Sequence, residues 1–158
     1  MFDMMESLLK DSAFQANVKF KELTFKANQK ILEQGKEHVS MYLIKQGKVR
    51  VIVSADTKEE SLVRPGVAEL NKNDVFGEFG LFEDLPASAD VIAVEETTLI
   101  EIDIPSFRRY LENNPNIGYQ VLVDLFKTLI SRLRHANKSI FTIYSWGIKA
   151  NQLDDHLK

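Results

Sequence analysis

The chain of 158 residues contains no cysteine. A disulfide framework, a thiolate metal site and a cysteine nucleophile are therefore excluded. Histidine is scarce too. His38, His135 and His156 fall in an expected turn, on an expected helix and in the C-terminal segment, without close ligand spacing. A metal enzyme built on such a set has little support. Neither sign of charge dominates: 20 basic residues stand against 23 acidic ones, for a formal charge of −3. A nucleic-acid surface normally shows a basic excess, so no nucleic-acid partner is expected. No stretch approaches the ~20 apolar residues that span a bilayer. Residues Met1 to Glu6 lack the basic and apolar regions of a secretion signal. The expectation is a cytoplasmic protein with no membrane partner. No internal repeat, low-complexity tract or evident linker divides the chain.

What is there is ordinary in bulk and specific in pattern. The composition is 44% hydrophobic and 27% charged, as in a globular domain of one-domain length. Residues 1–11 read as a short amphipathic helix with Phe2, Met5, Leu8 and Leu9 on one face. From Phe20 to Asp103 short strands alternate with turns. Phe20–Phe25 is the first. Met41–Ile44 and Val49–Val53 flank Lys45-Gln46-Gly47-Lys48, a hairpin signal. Gly35 and Pro65-Gly66 mark further turns. Val91–Ala93 and Thr98–Ile102 close this part. Strands at such spacing predict a jelly-roll barrel and an α+β class.

After Asp103 the period changes. Pro105 opens a short helix with Phe107, Tyr110 and Leu111 on one face, and Asn114-Pro115 ends it. A long helix follows from about Ile117 to Ile143. On it Phe126, Leu129, Leu133, Ala136, Ile140 and Ile143 alternate steps of three and four, a heptad seam. With Leu122, Leu125 and Ile130 assigned to packing on the barrel, the seam is left for a second subunit, and a parallel homodimer is expected. The domain reading is a single domain over residues 1–143 and an aromatic and polar tail over 144–158.

The most telling stretch is Phe76-Gly77-Glu78-Phe79-Gly80-Leu81-Phe82, followed by Leu85-Pro86-Ala87-Ser88-Ala89. Two glycines permit close backbone approach. The start of a short helical turn offers N–H groups to an anion. Glu78 supplies a carboxylate acceptor beside them. Together these features suit a sugar phosphate. The stretch, with Asn73-Asp74-Val75 before it and Ile31, Gly35, Met41–Ile44, Gly47, Val49 and Val51 upstream, resembles the cyclic-nucleotide-binding domain family over roughly residues 5–143. The resemblance implies a β-roll with an N-terminal helix, a hinge helix and a long dimerisation helix. It also implies that Glu78 accepts from a ribose hydroxyl, that N–H groups near Gly77, Gly80 and Ala89 face a cyclic phosphate, and that Ser88 adds a hydroxyl. Phe76, Phe79 and Leu81 complete that cassette.

The chain departs from the family pattern at Ala87, where an arginine meets the phosphate. A hydrogen bond to a charged group contributes ~1.5–3 kcal/mol, so its loss weakens binding by roughly 10- to 150-fold. Glu83 and Asp84 add negative charge nearby; Arg50 and Arg64 are the candidate replacements. On the long helix Asn137 is the candidate base contact, against an ordinary surface role, while Ala136 belongs to the seam. Phe141–Gly147 reads as a cap over the core or the dimer, or as a lid. Residues 148–158 are too few for the helix-turn-helix that follows in the family's transcription factors.

Two readings result. In one, the domain is a regulatory sensor of a cyclic nucleotide or another small phosphate ligand. In the other, it is a degenerate module that binds no nucleotide and serves in dimerisation or protein docking. Neither is an enzyme. Neither needs a cofactor beyond the nucleotide ligand, and both leave room for a separate output protein.

Overall fold

The computed structural model describes residues 2–53 and 66–155. The chain falls into two compact units, Met1–Pro115 and Asn116–Lys158. The first begins with helices α1 (Phe2–Lys10) and α2 (Ser12–Asn17). Strands β1 (Phe20–Phe25), β2 (Lys30–Leu32), β3 (Ser40–Gln46), β4 (Lys48–Ile52), β5 (Gly66–Asn71) and β6 (Val75–Phe76) follow. A 3₁₀ turn (Glu78–Leu81) leads to β7 (Asp90–Ala93), β8 (Thr97–Asp103) and helix α3 (Ile104–Asn113). The second unit is essentially helix α4 (Pro115–Asp155).

Two four-stranded antiparallel sheets make the roll, in the orders β1-β8-β3-β6 and β2-β7-β4-β5. This is the α+β arrangement expected. Its interior draws on both sheets: Tyr42, Ile44, Phe76 and Leu99 from one, Leu32, Val49, Leu70 and Val91 from the other. Successive side chains of a strand point to opposite faces. Met41 and Leu43 alternate with Tyr42 and Ile44 and are buried as well, so β3 is covered on both sides. That is why its sequence shows a continuous apolar run rather than an alternation. Phe14 of α2 lies 5.8 Å from Phe107 and 5.1 Å from Tyr110 of α3, both edge-on, and 6.0 Å from Phe20 of β1. These rings pin the helices to the strand that opens the roll.

Local chemistry sets the element ends. The Asp103 carboxylate accepts from Ser106 N–H at 2.9 Å and caps α3, with Pro105 in its first turn. Asp11 caps α2 in the same way, through Phe14 N–H at 2.8 Å. Asn73 adopts φ +78 ahead of β6, where the resemblance expects glycine; asparagine tolerates that region best among the other residues. Gly47 has φ +88, but the hairpin expected around it is not formed: β3 and β4 belong to different sheets, and the turn carries the chain from one sheet to the other.

Several expectations are corrected. Helix α2 and the short strands β2 and β5 were not anticipated as elements. Helix α4 does not end near Ile143 but continues through Asp155, so Phe141–Gly147 belongs to the helix. Phe141 and Tyr144 are exposed in the single chain. Leu122 is 50% exposed and does not pack inward, whereas Leu125 is buried. Leu122 instead extends the seam: Tyr119, Leu122, Phe126, Leu129, Leu133, Ala136 and Ile140 continue the three-and-four spacing along α4. Arg64, Pro65 and His156 lie outside the described residues.

Candidate functional site

The expected cassette forms one continuous structural piece. Strand β6 ends at Phe76, which is buried and stacked on Tyr42. Phe76 is thus a core residue at the entry to the cassette. Gly77 follows with φ +73. A methyl there would meet the Ser40 carbonyl oxygen at 2.9 Å, so both conformation and space require glycine. Glu78 begins the 3₁₀ turn and is only 3% exposed. A loop acid left in solvent would not be buried so fully, which argues for a specific role at this position. Phe79 is 41% exposed, while Leu81 is buried. Phe82 N–H closes the turn onto the Phe79 carbonyl at 2.8 Å.

The return limb runs beside residues 35 and 36. Gly35 N–H donates to the Ala87 carbonyl and Ala87 N–H to the Lys36 carbonyl, each at 2.9 Å. The Ala87 backbone is therefore committed to the fold, and its methyl is buried. Ala89 is buried too, and Ser88 between them is exposed. Asp90 anchors the end of the limb, taking Lys30 Nζ at 3.0 Å and Gln34 N–H at 2.8 Å.

Arg50 does not stand in for the missing arginine. It sits on β4 between Val49 and Val51, which pack into the roll, so it points to the outer face. There its Nη2 meets Glu69 Oε1 at 2.8 Å, across the β4–β5 pairing. The arginine that reaches the cassette is Arg108 of α3. Its Nη2 donates to the Gly80 carbonyl at 2.7 Å and lies 3.4 Å from Asp84 Oδ1. Sequence reasoning missed it because it lies 28 positions from Gly80. Its only signal was its place one turn after Ile104 on the hinge helix.

An open cleft of about 440 Å³ borders β2 and β3, lined in part by Lys30, Glu33, Lys36, His38, Tyr42 and Glu101. Its charges are largely matched internally: Lys30 with Asp90, Lys36 with Glu33, and Glu101 with Lys21 at 2.9 Å and the Tyr42 hydroxyl at 3.1 Å. Burial, followed by the adjacent Glu101 charge, pushes the Tyr42 hydroxyl well above its ordinary range, so it stays a donor.

In the second unit Asn137 and Ala136 are exposed on α4. Of the seam, Phe126, Leu133 and Ile140 are each more than 60% exposed, and Leu129 is half-buried. Ile143 lies further along the same helix. Among the described residues no three His, Cys, Asp or Glu side chains gather into a metal site, and no helix is long and apolar enough to cross a membrane.

A two-sheet roll with this glycine-framed turn, a hinge helix and a long helix defines a class of ligand-receiving regulatory domain. The family model for the cyclic nucleotide-binding domain matches residues 22–114, and the chain belongs to that family. It is 30% identical over 100 residues to the cAMP-activated global transcriptional regulator CRP of Escherichia coli O6:H1, covering 63% of this chain and 46% of that protein. It is 24% identical over 110 residues to the CRP-like cAMP-activated global transcriptional regulator of Mycobacterium tuberculosis, covering 70% and 46%. The chain thus spans about half the length of these curated relatives. Among solved structures, a cyclic nucleotide-binding domain from Methylobacillus flagellatus superimposes with a TM-score of 0.69 at 23% identity, over 77% of this chain and 66% of that one. The catabolite activator protein of Thermus thermophilus gives 0.64 at 21%, over 89% and 59%. At these identities the two structures share the fold.

Proposed function

We propose that this chain is a regulatory module whose cassette, Phe76 to Ala89, receives a cyclic nucleotide with reduced affinity, and whose long helix pairs with a second copy. The burial of Glu78 immediately after the left-handed Gly77 carries the reading. A carboxylate can accept from several donors at once, and a ribose hydroxyl is a donor of the right kind for a carboxylate at the start of this turn. Affinity is reduced because Ala87 supplies no cation. The phosphate would meet only N–H and hydroxyl donors from the turn and Ser88. The seam supports pairing, because its apolar side chains otherwise stand in water. The role is non-catalytic, and ligand contacts are passed on through the helix pair. Isothermal titration with cyclic AMP and cyclic GMP up to millimolar concentration tests the reading. Saturable binding that Glu78→Gln weakens supports it; identical affinity in Glu78→Gln counts against it.

A second reading rests on a different observation. The Ala87 methyl is buried and its backbone is held to Gly35 and Lys36, so the limb keeps its shape without the arginine. A domain that retains the fold without the phosphate contact suits a dimerising or docking module that binds no nucleotide. Thermal stabilisation by either nucleotide excludes that reading.

A further inference from the structure

Two buried side-chain polar atoms among the described residues have no hydrogen-bond partner: His38 Nδ1 and Arg108 Nε. Both side chains meet at Gly80. A methyl added there would lie 3.4 Å from His38 Cε1, and the Arg108 Nη2 is 2.7 Å from the Gly80 carbonyl. The same methyl would come within 2.6 Å of Ile104 Cδ1. Ile104 and Arg108 are four residues apart on α3 and share a face. The hinge helix therefore grips one cassette residue twice, by apolar contact and by a charged hydrogen bond.

The direction of that bond matters. Gly80 is the third residue of the four-residue 3₁₀ segment, and its carbonyl follows the Phe79 carbonyl onto which Phe82 N–H closes. A guanidinium there satisfies that carbonyl and opposes the partial negative charge of the C-terminal end. The carbonyl and N–H of one planar trans peptide point in opposite directions. Drawing the Gly80 carbonyl toward α3 fixes the Gly80–Leu81 peptide plane and turns the Leu81 N–H away from α3. Arg108 thus stands at the end of the turn opposite to the one that would receive an anion.

We propose that Arg108 is the positioning residue of the cassette: from α3 it holds the Gly80 carbonyl, with Asp84 as a secondary contact, and so keeps the 3₁₀ turn in its receiving shape. This deepens the ligand reading and rests on it for its consequence, but the positional role has its own readout. Asp84 is 91% exposed, so its pairing adds little.

The test is hydrogen exchange of the Gly80–Glu83 amides in the full chain, together with titration by cyclic AMP. Arg108→Met keeps the apolar stem and removes the donors; Arg108→Lys keeps the charge. In Arg108→Met, exchange of these amides should rise roughly 10- to 100-fold, the factor expected for one charged hydrogen bond. The amides of β3 and β8 should be unchanged, cyclic AMP affinity should fall within the same range, and Arg108→Lys should restore most of both. Unchanged exchange in Arg108→Met overturns the proposal, even where the wild type binds nucleotide. Local loosening in a chain that binds no nucleotide supports the positional role and removes the ligand reading. Should Arg108→Met loosen the whole roll, Arg108→Lys decides: acceleration confined to the turn supports the proposal, and uniform acceleration overturns it.

Discussion

Tyr42 and Phe76 lie face to face inside the roll, their ring centroids 5.0 Å apart and their planes 16° from parallel. They are also cross-strand partners of β3 and β6. Strand β6 is two residues long, and this stack holds it to the sheet beside the buried Val75 and the hydrogen bonds between Ile44 and residues 73 and 74. Phe76→Ala should cost about 3–5 kcal/mol, the range for a buried aromatic truncated in a core. Urea unfolding measures it; a loss below about 1 kcal/mol would show that the stack does not anchor the strand.

Gly77→Ala should destabilise the fold by about 1–2 kcal/mol from the left-handed backbone alone. The Ser40 carbonyl at 2.9 Å from the new methyl adds to that. Any nucleotide affinity should fall with it, because the turn that follows must shift. Thermal unfolding and titration of the same preparation check both effects, and a variant as stable as the wild type contradicts the geometry.

The Asp103 carboxyl is held below its ordinary range, chiefly by the hydrogen bond from Ser106, against a smaller opposing effect of burial. A carboxylate depressed in the folded state contributes stability that is present above its unfolded pKa and is lost as pH falls through the folded value. The cap on α3 should therefore weaken in acid, from about pH 4 downward. At neutral pH Asp103→Ala should cost about 1 kcal/mol, the usual value of an N-cap. The difference between wild type and variant, followed by denaturation across pH, should narrow toward acid; a constant difference would mean that the charge does not contribute.

The apolar seam predicts a concentration-dependent dimer. Leu133 is 61% exposed, so Leu133→Lys should leave the fold intact while dissociating the pair. Sedimentation analysis reads the mass directly. A wild type that is monomeric at every concentration tested would remove the pairing.

Ala87→Arg should raise cyclic AMP affinity by roughly 10-fold or more if the rest of the cassette is in place. The Ala87 backbone is already tied to Gly35 and Lys36, so a new side chain at that position starts from a fixed limb. An unchanged affinity would mean that Glu78 and the turn do not form a ligand site in this chain.

Long, strongly patterned elements were legible in the sequence. β1, β3, β4, β7 and β8 each carry enough apolar residues to announce a strand, and the proline-started α3 announced a helix. The cassette was legible for a different reason: Gly77 serves a backbone shape that only a few residues tolerate, so its identity exposes its conformation. β2 and β5 were not legible. Lys30–Leu32 is three residues long and becomes a strand only through its partner β7. The six-residue α2 depends on its Asp11 cap and on burying Phe14. Leu122 was misassigned because a heptad pattern names a seam without saying where along the helix exposure begins.

The sequence by itself determined the family, the plan of a strand-rich roll followed by two helices, and the position of the cassette, because each is written in local spacing and in residues with narrow conformational range. Only the tertiary structure decided which charges serve which neighbours. It sent Arg50 outward to Glu69, buried Glu78, and brought Arg108 onto Gly80 from 28 positions away. Such pairings depend on which faces meet once the sheets and hinge helix have packed, and no local period encodes that.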